Sequence, residues 1–260
     1  MKQHTLMMTA ILAAGSFALP AMAESTLRYG IEAQYPPFEY KSASGELQGL
    51  DVELGKAVCA EAHLKCSWVE NAFDGLIPAL QGKKFDAINS AMNATEQRRK
   101  SIAFTSIIYR VPSMVIARKG SGITTAADKL QGKSMGVLQG SIQETYARSH
   151  WESAGVRVVS YQDQNQVYAD MATGRLDATL VMAPAGQKGF LTRPDGKDFQ
   201  FVGAVHDDKI LGSGIAFGLR KDDVELRKKL DAAIARLQAS GKVKALAARY
   251  LGEGIDVSVK

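Results

Sequence analysis

The sequence is defined first by what it lacks. It has only two cysteines, Cys59 and Cys66, with His63 between them. Three such groups leave a tetrahedral metal site without a fourth ligand, so a metal centre is not expected. No basic run exceeds three residues, as in Arg98-Arg99-Lys100, and no basic stripe carries interleaved aromatics. The net charge of +5 therefore does not point to nucleic acid. There is no G-x-S-x-G elbow, no phosphate loop and no paired-histidine motif. His63, His150 and His206 sit in unrelated polar contexts. Beyond the first 23 residues, no stretch is long and apolar enough to cross a bilayer. No cofactor is expected.

What is present begins with an export signal. Lys2 and His4 open it, residues 6–19 form an apolar core, and Ala21-Met22-Ala23 is an A-x-A cleavage site. The core is too short to span a membrane stably, and the alternative is a buried N-terminal helix. The mature chain is expected to begin near Glu24, outside the cytoplasm. In that setting an even cysteine count favours a disulfide between Cys59 and Cys66. The rest, 46% hydrophobic and 23% charged, is ordinary globular material.

Strand and helix signals alternate along the chain. Strands are predicted at 27–31, 66–69, 113–117, 134–138, 156–161, 199–205 and 215–219. Helices are predicted at 51–62, 167–173, 222–238 and 243–250, the third with Leu226, Leu230, Ile234 and Leu237 on one stripe. Asp74 is placed as the cap of a helix carrying Leu76, Ile77 and Leu80, and Ser141 to Glu144 reads as an S-x-x-E capping box. Gly174-Arg175-Leu176-Asp177-Ala178 repeats the pattern of Lys84-Phe85-Asp86-Ala87, either by chance or because two lobes share one plan. This alternation predicts an α/β fold with mostly parallel sheets covered by helices.

Residues 85–104 carry the strongest functional signal. An apolar run of Phe85, Ala87 and Ile88 ends in Asn89, Ser90, Asn93 and Thr95, followed by Arg98. That is a buried strand releasing its chain at a cleft, where open α/β sheets bind ligands. An arginine among small hydroxyl and amide groups is a fork for a carboxylate. The helix opening at Ser141 offers free N–H groups to the same anion. Glu32, Tyr35 and Phe73 make a second constellation, an acid with two rings, suited to a flat organic cation. The residues alone equally allow Arg98 on a helix surface, Ser141 as a plain cap, and the two rings as core.

With these residues in place, the chain resembles the periplasmic solute-binding proteins for cationic amino acids, the histidine and lysine-arginine-ornithine binders of ABC importers. The resemblance spans residues 27–250 and rests on YPPFEY, GLDVELGKAVC, VENAFDGLIPAL, residues 85–104, GVLQGSIQETY, GRLDA and GLRKDD. It implies a two-lobed type II periplasmic-binding-protein fold with two crossover strands, near 109–113 and 210–214. Residues 24–110 with 214–260 would form one lobe and 111–213 the other, after a signal peptide at 1–23. It implies that Tyr35 and Phe73 sandwich the ligand side chain while Glu32 meets its cationic end. Arg98 would take the α-carboxylate, helped by the amides of Asn93 and Ile142. Ser90, Ala91, Leu138, Ser141 and Gln143 would complete the wall.

The departures from that family are specific. Met182 stands where the amino-acid binders carry an aspartate for the α-ammonium, and Ala91 and Asn93 replace serines. A buried ammonium without its carboxylate costs several kcal/mol, whereas Met offers adaptable apolar surface. The family's opine binders share a glutamate at the position of Glu32 and lack the aspartate. The expectation is a monomeric, non-enzymatic periplasmic protein that hands a small arginine-, histidine- or opine-like cation to an inner-membrane ABC permease. The alternatives are a ligand-presenting sensory protein for a chemoreceptor and a dehydratase on the same fold.

Overall fold

The computed structural model describes residues 26–252; the expected export segment lies outside them. Two five-stranded sheets organise the chain, each the floor of one lobe. The first has the strand order Lys65–Glu70, Thr26–Ile31, Ala87–Ile88, Gly218–Leu219, Ala103–Phe104. The second has the order Arg157–Tyr161, Ser134–Leu138, Ala178–Met182, Ser113–Arg118, Phe199–Ala204. In both, the first three strands are parallel. The remaining joins are antiparallel.

The sheets are therefore mixed where the alternation of elements suggested mostly parallel pairing. The parallel strands carry their C-terminal ends to the cleft. The strands at 113–118 and 218–219 each enter their sheet from the other lobe, so they start at the cleft and run away from it. The connecting segments lie side by side: the Ile215 N–H donates to the Tyr109 carbonyl at 2.9 Å, and Arg110 Nε to the Ser213 carbonyl at 2.7 Å.

The faint internal repeat has a structural basis. Asp86 and Asp177 both precede the third strand of their sheet and both reach back to the start of the second. The Asp86 carboxylate accepts from Arg28 N at 3.1 Å, and that of Asp177 from Ser134 N at 2.8 Å. The strands Ser134–Leu138 and Ala178–Met182 are buried throughout, as expected when helices cover both faces of a sheet. The helix Leu50–Glu61 turns Leu50, Leu54 and Val58 inward and packs under Val224–Ala239, which buries Leu230, Ala233, Ile234 and Leu237. Cys59 and Cys66 are joined, tying the end of that first helix to the edge strand. A loop this small contributes on the order of 2–3 kcal/mol.

Two local expectations are corrected. Asp74 caps nothing: Ala72 holds the cap position of the turn Phe73–Gly75 without a side-chain bond. Asp74 instead accepts from Gln139 Nε2 of the other lobe at 2.9 Å. Ser141 does cap its helix, accepting from Glu144 N at 3.0 Å. The return arm of the box goes one residue early, to Gly140 N at 2.7 Å, because Ser141 N is already bonded to the Leu138 carbonyl.

Close packing behind the cleft is tested at Gly30, where a Cβ would lie 2.3 Å from Cζ of the fully buried Phe85 ring. Gly30→Ala is expected to destabilise by about 3 kcal/mol, the upper range for overpacking. Urea denaturation reads this directly, and wild-type stability would show that the ring has room to move.

Candidate functional site

The short hairpin of Gln34–Tyr35 and Glu39–Lys41 builds one wall. Pro36, Pro37 and Phe38 make its turn, with a cis bond between the two prolines, and Tyr35 pairs opposite Glu39. Directly paired residues share a face, so the ring and the carboxyl stand together at the cleft. Glu32 follows the strand Thr26–Ile31, and Ser90 and Ala91 follow Ala87–Ile88. Both are strand ends at the sheet's cleft edge.

These residues surround a narrow interlobe cavity that is nearly filled in this closed form. Glu32, Tyr35, Glu39, Phe73, Ser90 and Ala91 line it from the first lobe. Leu138, Ser141, Gln143 and Met182 line it from the second. The lobes are closed over it. Met182 N donates to Tyr35 Oη at 3.3 Å, and Arg98 Nη2 to the Gly140 carbonyl at 3.0 Å. Gly140 has φ +74°, and a Cβ there would meet Asp74 at 2.9 Å, so this close interlobe approach requires glycine.

Three expected residues do not line this cavity. Arg98 and Ile142 line an adjoining pocket. Asn93 turns its amide to the Leu211 carbonyl at 3.0 Å, and its own carbonyl accepts from Arg98 Nη1 at 2.9 Å. Arg98 is partly buried over the Phe73 ring, 5.4 Å from its centroid. Its guanidinium meets carbonyls and no carboxylate among the described residues, and burial lowers its pKa to about 10.

Several wall groups are already engaged. Ser90 Oγ accepts from Glu32 N and donates to Glu39 Oε1, both at 3.0 Å. Gln143 Nε2 donates to Ser113 Oγ at 2.8 Å. Ala91 has φ +43°, a conformation that costs a β-carbon residue about 1–3 kcal/mol. It is held there by Asp51, whose Oδ2 accepts Ala91 N at 2.5 Å while Oδ1 accepts Tyr109 Oη at 2.6 Å.

The electrostatic character follows from three buried acids, Glu32, Glu39 and Asp51. Among the described residues, no basic side chain lines the cavity. Burial, then the charge of Asp163 across the cleft, raises Glu32 to about 8 against a bond from Gln34 N–H. Burial, then the charges of Asp51 and Glu32, pushes Glu39 well up, and its Oε2 has no hydrogen-bond partner among the described residues. Asp51 rises less, to about 6, because Tyr109 and Ala91 donate to it. Of that pair, Asp51 is the ionised member and Glu39 holds the proton. Sequence reasoning missed Glu39 and Asp51. The pairing of Tyr35 with Glu39 across a Pro-Pro turn was the available signal for the first; the second reads only as a helix-start acid.

The chain belongs to the bacterial extracellular solute-binding proteins, family 3, whose model matches residues 27–253. It is 46% identical over 239 residues to the lysine/arginine/ornithine-binding periplasmic protein of Escherichia coli, covering 92% of this chain and 91% of that one. It is 43% identical over 252 residues to the histidine-binding periplasmic protein of Salmonella typhimurium, covering 96% and 97%. Among solved structures, an ancestral arginine-binding protein bound to arginine superposes with a TM-score of 0.82 at 28% identity, covering 88% of this chain and 99% of that one. The two-lobed type II fold is thus established.

Glu32 makes stability depend on pH with a definite sign. Its folded pKa, about 8, lies above the usual carboxyl value of 4.5, so the folded state binds the proton more tightly. Its contribution is full below pH 4.5 and is lost as pH rises through 8. The ligand-free protein is expected to melt lower at pH 8.5 than at pH 6, and Glu32→Gln to flatten that fall. Parallel melting curves for the two proteins would refute the assignment.

Proposed function

We propose that this protein is the periplasmic binding component of an ABC importer and captures a small cationic amino acid or a derivative of one. The observation that carries this reading is the closed interlobe cavity with two buried carboxyl groups, Glu32 and Glu39, and no base on its wall. Burial holds these acids toward their protonated forms in the free protein, and a ligand cation offsets the cost of ionising them. Tyr35 and Phe73 supply the flat faces. Arg98, without a carboxylate of its own, exchanges its carbonyl partners for the ligand carboxylate when the cleft closes on it.

The lobes are taken as 24–110 with 214–260, and 111–213. They open and close about the paired segments at Tyr109 and Ile215. The close relatives are named as binding proteins, and the present chain is read as a binder and not an enzyme. It acts as a monomer, exported by its N-terminal segment, and delivers ligand to an inner-membrane permease. Met182 marks its selectivity: across the cleft from Ser90 and Ala91 it presents a thioether, so free α-amino acids bind less well than derivatives without an exposed α-ammonium.

A thermal-shift screen over basic amino acids, opines, guanidino acids and amines tests the class, because ligand linkage raises the melting temperature. Silence across the whole panel would defeat it. Arg98→Ala is expected to weaken carboxylate ligands by at least about tenfold, equivalent to ~1.4 kcal/mol, while leaving amines that lack a carboxylate unchanged. Equal affinity for a carboxylate ligand in both proteins removes Arg98 from the site. Met182→Asp is expected to improve binding of free arginine, lysine or histidine by about tenfold; titration calorimetry showing no gain for any of them rejects Met182 as the selectivity residue.

A further inference from the structure

A second pocket adjoins the first, and Glu32 belongs to both. The outer one, of ≈ 800 Å³, opens to solvent at the mouth of the closed cleft. Glu32 is 4% exposed, so it forms the partition between the two spaces. A ligand whose cation rests at Glu32 therefore has its far end at a doorway and not at a closed wall.

The outer pocket has its own chemistry. Lys41 is neutralised by Glu70 at 2.8 Å. Asp163 caps the helix Gln164–Ala172, accepting from Gln166 N at 3.0 Å, and faces Glu32 across the cleft. Both therefore have partners or a defined role. Arg193 has no ion pair among the described residues, and the side-chain amides of Gln34 and Asn165 make no hydrogen bond among them. A guanidinium and two amides, all uncommitted, surround a polar space. That set recognises a carboxylate on a short polar chain, with the guanidinium as its fork.

We propose that the protein's ligands include basic amino acids substituted on the side-chain nitrogen, with a carboxylated extension that passes Glu32 into the outer pocket and pairs with Arg193. This rests on the reading of the inner cavity as a cation site and deepens it. The α-carboxylate end stays with Arg98, which is not part of the outer pocket. The substituted nitrogen keeps its charge between Glu32 and Asp163, and the extension occupies space that a free amino acid leaves to water.

Titration calorimetry on the exported chain tests this with L-arginine, Nω-propyl-L-arginine and argininosuccinate. Argininosuccinate is expected to bind at least as tightly as arginine. Arg193→Ala should weaken argininosuccinate by about tenfold and arginine by less than about twofold, the contrast expected when one charge-assisted pair is removed. Argininosuccinate failing to bind while arginine binds overturns the inference and leaves the cation site standing. Equal binding of the propyl compound and argininosuccinate removes the carboxylate contact to Arg193. Weakening of all three ligands to the same degree in Arg193→Ala also counts against it, since only the extension should reach that residue. No binding of any of them, with no response to the wider cation panel, removes both readings together.

Discussion

The carboxylate of Asp51 is the constraint on which the rest of the site depends. It sits at the start of a helix, where an acid is favoured by the helix dipole. Yet it is buried and faces inward. One oxygen holds the backbone of Ala91 in a left-handed conformation on the cavity wall, and the other holds Tyr109 in a connecting segment between the lobes. A single ionised group thus joins the helix, the cavity wall and the connecting segment at Tyr109. Burial first, and then the charge of Asp51, raises Glu39, so that the neighbouring acid stays protonated. Two acids sharing a buried space cannot both ionise cheaply, and the hydrogen bonds to Asp51 decide which one does.

From that arrangement follows a cavity wall rich in acid and poor in base. In the protein alone, burial holds Glu32 and Glu39 toward their protonated forms. Hydrogen bonds cross between the lobes from Tyr35 to Met182, Asp74 to Gln139, Arg98 to Gly140 and Asn93 to Leu211, and an apolar cluster holding Tyr35 and Met182 spans them too. A ligand shifts such a two-lobed form toward closure only by as much as it binds the closed form better than the open one. Glu32 stands where the inner and outer spaces meet and borders both.

Legibility in the sequence varied with the range of the interaction. The strand Ser134–Leu138 is legible as a short run buried throughout, and the helix Val224–Ala239 as an amphipathic stripe. Ser141 was identified as a cap, and Tyr35, Phe73 and Met182 as lining residues, the last two steps resting on family resemblance. Asp74 was misjudged because a cap acid and an interlobe acceptor look alike along the chain. The antiparallel joins were invisible for a similar reason: whether a strand enters a sheet from a helix or from the other lobe is not written in its own residues. Glu39 was passed over because an acid two residues after a Pro-Pro turn reads as exposed loop.

The sequence by itself determined the family, the alternation of strands and helices, the paired cysteines and the region of the cleft, since each rests on short-range period, spacing or motif. Only the tertiary structure decided that Asp51 and Glu39 are buried together, that Arg98 meets carbonyls beside the cavity, and that Glu32 borders two spaces instead of one. Burial and charge coupling depend on residues brought together from distant points in the chain, and these set the energy of every ionisable group in the site.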